Sequence, residues 1–189
     1  METQQPGPAA TTDRPPLATV TFVGVGAIGL PMARRLAAAG FLVTAVDPSP
    51  RTRAEAEAAG LGTAPDISSV TLGDVVVVMV ATGGQLLDAV AAATARGPLT
   101  GQTWVIGSTV GPQDGRRAAA LLGEAGAQVV DAPVLGGVPG AEQGRAGQGR
   151  AGCASSPREV RKHSTGSATY SAPWARSPRS ATGPAMDRR

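Results

Sequence analysis

The sequence predicts an α/β protein built on a doubly wound, mostly parallel sheet with helices on both faces. Three observations predict it. From Ala18 to about Gly144, short Val/Leu/Ile-rich runs alternate with Ala/Leu-rich amphipathic stretches, the βαβ rhythm of buried strands covered by helices. Three closely spaced glycines, in Gly24-Val25-Gly26-Ala27-Ile28-Gly29, stand at the first strand-to-helix junction. The composition, 42% apolar but only 3% aromatic, leaves a core of Val, Leu, Ile and Ala, which suits a parallel sheet buried on both sides.

The elements follow in order. Thr19–Val23 reads as the first strand and 27–39 as the first helix, closed by Gly40. Leu42–Val46 is the second strand, 51–59 the second helix, and Gly60 its stop; a weak apolar stretch at 61–64 adds a short strand. The strand 75–79 feeds a helix over 85–95 that ends before Gly97. Thr103–Ile106 feeds a helix over 112–125, opened by Pro112 and closed by Gly126, and 128–130 is the last strand. Proline at a first helical position and glycine just past a last one are the expected punctuation. Right-handed crossovers make the whole an open, twisted sheet, and 189 residues supply one such core rather than two.

The flanks differ from this body. Residues 1–17 are rich in Pro, Thr and Gln without apolar periodicity, so they read as a disordered leader, with no basic and apolar succession that would make a signal peptide. In 145–189 nine basic residues face only Glu159 and Asp187, and Val160 is the one Val, Ile, Leu or Phe. Such a segment cannot bury enough surface to offset its ordering entropy. It reads as a disordered basic tail or an aberrant terminus, as a reading-frame shift near Gly144 would produce. The domain proper is therefore expected over 18–144. Residues 1–144 of the chain hold eight basic and twelve acidic groups, so the overall charge of +3 belongs to the tail and argues against a nucleic-acid-binding body. A tail that tethers the chain to phosphates ranks last among the readings. The longest apolar run, 75–81, is far below the roughly 20 residues of a membrane span. The single cysteine, Cys153, allows no internal disulfide and no metal cluster, which fits a cytoplasmic protein.

The glycine turn carries the chemistry. Gly24 permits the tight turn, Gly26 lets a pyrophosphate approach the backbone, and Gly29 lets the helix pack closely on the strand. Amides from Ala27 and Ile28 onward face the phosphates at the positive end of the helix. Asp47 ends the second strand, about twenty residues on, where a carboxylate accepts from the adenosine ribose. It would repel a 2′-phosphate, so NAD is favoured, with NADP the alternative because Arg51 and Arg53 lie close in sequence. A plain glycine loop, and a helix-start role for Asp47 or Ser49, are the structural alternatives.

At this point a family resemblance enters. The stretch from Val23 through Pro31, Met32 and Ala33, with Leu36 and Gly40, is similar to the opening signature of the 3-hydroxyisobutyrate dehydrogenase-like, or β-hydroxyacid dehydrogenase, family. Gly107-Ser108-Thr109-Val110-Gly111-Pro112 resembles its Asp-x-Ser-Thr-x-x-Pro segment, with Ile106 or Gly107 where the family has Asp. Asp131-Ala132-Pro133-Val134-Leu135-Gly136-Gly137 resembles Asp-Ala-Pro-Val-Ser-Gly-Gly, with Leu135 in the serine position. The resemblance implies that Ser108, Gly136 and Gly137 contact substrate and that Val80, Ala81 and Thr109 lie against the cofactor. On the residues alone, Ser108 and Thr109 could cap the helix at Pro112, and Pro133, Gly136 and Gly137 could shape a turn.

The family likeness further implies a Rossmann-type NAD(P)-binding domain of an oxidoreductase that moves a hydride between nicotinamide and a small hydroxy acid or its carbonyl product. The family's catalytic lysine lies in a Gly-x-Gly stretch at the start of a second, all-helical domain. No matching stretch occurs here and Lys162 does not fit it, so no catalytic residue and no metal ligand is assigned. The expectation is a truncated form that lacks the C-terminal helical domain and the homo-oligomer interface it supplies, with weak or no turnover alone. A non-catalytic dinucleotide-binding module and a relative of imine or glyoxylate-type reductases are the other readings.

Overall fold

Apolar runs of four or five residues, each bounded by turn residues, become strands here because both faces of the sheet are covered. The computed structural model describes residues 17–134 and 136–144, with the backbone of 152–154. In chain order it contains β1 (Thr19–Val23), α1 (Gly29–Ala38), β2 (Leu42–Val46), α2 (Pro50–Ala58), β3 (Gly62–Ala64), a 3-10 turn (Ile67–Ser69) and β4 (Val75–Val78). Then come α3 (Gly83–Thr94), β5 (Thr103–Ile106), α4 (Pro112–Glu124), β6 (Gln128–Asp131), α5 (Gly137–Glu142) and β7 (Gly152–Ala154). The strands lie in the order β3-β2-β1-β4-β5-β6-β7. The first six pair in parallel and β7 pairs antiparallel to β6. The predicted mostly parallel, doubly wound class is what forms. Of the expected disordered flanks, residues 1–16, 145–151 and 155–189 lie outside the described residues.

Two apolar clusters cover the two sides of the sheet. One gathers Met32, Ala33 and Leu36 of α1, Ala56 of α2 and Ala141 of α5 with Val20, Phe22 and Val43 of the strands. The other gathers Leu86 and Val90 of α3 and Ala118 and Leu122 of α4 around Val76, Val78, Trp104 and Ile106. Helices following β1 and β2 thus pack on one face and those following β4 and β5 on the other, so the winding reverses between β1 and β4. In doubly wound sheets ligands bind outside the strand carboxyl ends at that reversal.

The strand expectations are met within a residue at each end, and the four helices within two. All four stop glycines, Gly40, Gly60, Gly97 and Gly126, have positive φ. At the opposite edge from the reversal loops, the Asp74 carboxylate accepts from the Thr19 amide at 2.9 Å and its hydroxyl at 2.7 Å. These bonds to the charged form hold its carboxyl below the usual range. Three elements were not foreseen: the short strand β7, which lies within the stretch expected to be disordered and pairs with β6, the 3-10 turn and α5. The 3-10 turn forms because the Asp66 carboxylate accepts from the amides of Ser68 and Ser69, both at 2.9 Å. Helix α5, of sequence GVPGAE, has poor intrinsic helical preference and is held by its surroundings. Ala141 is 1% exposed against the α1 cluster, and Arg35 Nη1 of α1 donates to the Glu142 carbonyl at 3.0 Å.

Candidate functional site

The turn after β1 is built by close approaches that admit no side chain. Gly24 has φ +86°, and a Cβ there would lie 2.2 Å from the Met79 carbonyl oxygen. A Cβ on Gly29 would lie 2.1 Å from the Gly24 oxygen and 3.1 Å from the Phe22 ring. Gly26 is different: a Cβ there would meet nothing within 4 Å, because the residue opens onto a cleft. Helix α1 starts at Gly29 with Ile28 as its N-cap and no side-chain cap, which leaves its first amides turned to whatever enters that end. Ala27 is exposed beside Gly26.

Asp47 secures this turn from the end of β2. Its Oδ2 accepts from the Val25 amide at 3.1 Å and its Oδ1 from the Ser49 amide at 2.9 Å. The carboxylate thereby ties the glycine turn to the start of α2, whose cap is Ser49. Arg53 Nη1 donates to the carbonyls of Asp47 at 2.8 Å and Pro48 at 3.0 Å, so this guanidinium serves the backbone. The cleft, of about 530 Å³, runs from Gly26 and Ala27 past Arg34 of α1 to Arg51 and Glu55 of α2, with Glu142 of α5 also lining it.

The loops after β4 and β5 meet the turn from the other side. Val80 reaches Gly24, where an added Cβ would lie 3.3 Å from its side chain. The Val80 amide donates to Ser108 Oγ at 2.8 Å, and that hydroxyl donates to the Val78 carbonyl at 3.2 Å. Ser108 is 4% exposed, so its side chain stitches the ends of β4 and β5 together beneath the surface. Thr109 next to it is exposed. The amides of Ala81 and Thr82 donate to Gln85 Oε1 at 3.0 and 3.2 Å, while Thr82 Oγ1 accepts from the Gln85 amide at 3.2 Å. This is a capping box at the start of α3. The Thr-x-x-Gln spacing is its sequence signature, and the box starts the helix at Gly83, two residues before the expected Gln85.

The segment after β6 closes the row. The Val134 amide donates to the Gly107 carbonyl at 3.3 Å, which brings the loop containing Ser108 beside the approach to Gly136 and Gly137. Gly136 (φ +99°) and Gly137 (φ +57°) form the turn into α5. Leu135 lies outside the described residues, as does Lys162. Desolvation raises the Asp131 carboxyl above its ordinary range. Among the described residues no group of three or more His, Cys, Asp or Glu could hold a metal ion, and no helix is long and apolar enough to cross a membrane.

The buried Ser108 hydroxyl yields a stability prediction. Ser108→Ala leaves the Val80 amide without its acceptor and should cost about 1–3 kcal/mol, read by urea denaturation of the purified chain. A loss below about 0.5 kcal/mol, the range of ordinary surface changes, would mean that the hydroxyl is not serving the fold.

The winding reversal, the uncapped helix start behind three spaced glycines and the carboxylate at the end of β2 together define a nicotinamide-dinucleotide-binding domain of the Rossmann type. Comparison with known proteins agrees. The chain belongs to the family described as the NAD binding domain of 6-phosphogluconate dehydrogenase, whose profile matches residues 19–161. It is 36% identical over 132 residues to a probable 3-hydroxyisobutyrate dehydrogenase of Mycobacterium tuberculosis, covering 66% of this chain and 42% of that one. It is 32% identical over 127 residues to a 2-hydroxy-3-oxopropionate reductase of Escherichia coli, covering 65% of this chain and 43% of that one. Among solved structures, the M. tuberculosis 3-hydroxyisobutyrate dehydrogenase with L-serine superposes with a TM-score of 0.61 at 33% identity, over 67% of this chain and 44% of that one. The resemblance read from the three motifs therefore holds, and the chain spans less than half the length of the relatives it matches.

Proposed function

We propose that this chain is the NAD-binding part of an oxidoreductase of the 3-hydroxyisobutyrate or β-hydroxyacid dehydrogenase type, acting on a short hydroxy acid or its carbonyl counterpart. The observation that carries the reading is the contrast within the glycine turn. Gly24 and Gly29 are hemmed in by backbone, whereas a Cβ on Gly26 would meet no atom within 4 Å where that residue lines the cleft, the place where a pyrophosphate needs the main chain bare. When bound, nicotinamide supplies the hydride acceptor or donor. The chain's own residues then do the holding. Gly26, Ala27, Ile28 and Gly29 present amides at the start of α1, Gly24 shapes the turn with its own amide given to the Val46 carbonyl, and Asp47 fixes the turn and offers its remaining lone pairs to the ribose. Val80, Ala81 and Thr109 form the cofactor side of the adjoining loops. Ser108, expected to contact substrate, is buried with its hydroxyl engaged by the Val80 amide and the Val78 carbonyl and acts instead as a positioning residue for that loop, while Gly136 and Gly137 shape the substrate side.

NAD is favoured over NADP because the Asp47 carboxylate at the end of β2 would repel a 2′-phosphate. The lone cysteine supports a cytoplasmic setting. A second reading, a dinucleotide-binding module without turnover, is favoured by one observation: the described residues contain neither Lys nor His, the side chains best suited to accept the hydroxyl proton near neutral pH. Calorimetric titration of the full chain with NAD, followed by assay of hydride transfer from 3-hydroxyisobutyrate, separates them. Saturable NAD binding that falls about tenfold or more in Asp47→Ala supports the cofactor site, and absorbance growth from reduced nicotinamide supports the enzyme over the module. A folded chain that binds neither NAD nor NADP would sink both.

A further inference from the structure

One side of the cleft carries a charge arrangement that bears on which dinucleotide enters. Arg51 and Glu55 stand one turn apart on α2, with Arg51 Nε 3.1 Å from Glu55 Oε1 and their side chains 90% and 52% exposed. Both line the cleft that begins at Gly26. Of the cations near the end of β2, Arg53 is already committed to two backbone carbonyls. Arg51 is therefore the α2 guanidinium with a free rim of donors, and Glu55 holds it. Across the cleft, Arg34 faces the same space as Glu142, so two guanidiniums stand against two carboxylates and the walls are electrically balanced.

NADP differs from NAD by a 2′-phosphate on the adenosine ribose, an anion that a nearby arginine accommodates where it is accepted. Arginine suits that task because its planar fork can give two parallel hydrogen bonds to phosphate oxygens. A guanidinium held at Nε by a carboxylate is aimed by that pair, and a phosphate brought to its remaining donors meets the repulsion of the same carboxylate. Resting on the cofactor site proposed above, we propose that Glu55 determines cofactor choice. By engaging Arg51 it withholds the cation a 2′-phosphate requires and keeps the domain to NAD, acting together with the Asp47 carboxylate.

The test is calorimetric titration of the full chain at low salt with NAD and with NADP, in the wild type, Glu55→Gln, Glu142→Gln and the double variant Arg51→Gln/Glu55→Gln. Exposed ion pairs are worth up to about 1 kcal/mol, or roughly fivefold in affinity, and removing a like charge adds to that. Glu55→Gln is therefore expected to raise NADP affinity about three- to tenfold while NAD changes less than about twofold. The double variant should lose the gain, and Glu142→Gln, which removes the same charge without freeing Arg51, should give a smaller one. An unchanged NADP-to-NAD ratio in Glu55→Gln overturns the proposal, as does an equal or larger gain in Glu142→Gln. A wild type that prefers NADP overturns it while leaving the dinucleotide site intact. A wild type that is folded and binds neither removes the site and this inference together.

Discussion

Gly24→Ala should cost the domain about 3–5 kcal/mol, a large part of the whole stability of an ordinary domain, while Gly26→Val two residues away should leave stability within about 0.5 kcal/mol and abolish NAD binding. The reasoning differs at the two positions. At Gly24 a side chain meets two penalties at once. Its φ of +86° is one that L-residues avoid, at roughly 1–3 kcal/mol, and its Cβ would be driven to 2.2 Å from the Met79 oxygen, a backbone atom that cannot swing aside, for a further 1–3 kcal/mol or so. Neither penalty exists at Gly26, whose Cβ would point into open space. Paired denaturation curves and titrations read the contrast. If Gly26→Val proved as destabilising as Gly24→Ala, the turn would be a scaffold loop and the cleft would lose its reason for being bare.

The other large effect lies far from the cleft. Trp104→Ala should lower stability by about 3–5 kcal/mol and the melting temperature by roughly 10–20 °C for a domain of this size. Among the described residues Trp104 is the largest fully buried side chain. It sits on β5 inside the α3 and α4 cluster with Leu86, Val90 and Leu122, and its indole Nε1 donates to Gln102 Oε1 at 3.2 Å. A chain so poor in aromatics has no comparable group on that face to fill the space. By contrast Leu42, 59% exposed at the start of β2, should tolerate Leu42→Ser with a loss below about 0.5 kcal/mol. A mild effect of Trp104→Ala in thermal melting would mean that the α3 and α4 face is loosely packed.

The layers were legible in the sequence because period and punctuation agreed. Valine runs such as Val75–Val78, bounded by turn residues, could be placed as strands without knowing their neighbours, and Gly40 or Gly126 marked where helices stop. Asp47 was legible for the same reason, since its distance from the glycine turn fixes which strand end it occupies. The weaker readings concerned residues whose role depends on a partner far away in the chain. Nothing near α5 in sequence reveals that Ala141 will be buried against α1 or that Arg35, more than a hundred residues earlier, will hold its last carbonyl. Ser108 is the instructive case. Its motif was recognisable, but only the pairing of β4 with β5 shows that both sides of its hydroxyl are already engaged, by Val80 and Val78. Arg51 stood out in the sequence only for its nearness to Asp47; that it pairs with Glu55 on the wall of the glycine-turn cleft came from the structure.

Helix α2 contributes one buried residue, Ala56, to the core, whereas α1 contributes four. The two helices nevertheless flank the same cleft. Changes on the outward side of α2 can thus accumulate almost free of folding cost, so that, with the dinucleotide bound as proposed, the α2 wall can drift while the α1 wall stays under constraint. A lineage carrying this arrangement can explore new cofactor preferences by single substitutions on one short helix, without passing through unstable intermediates.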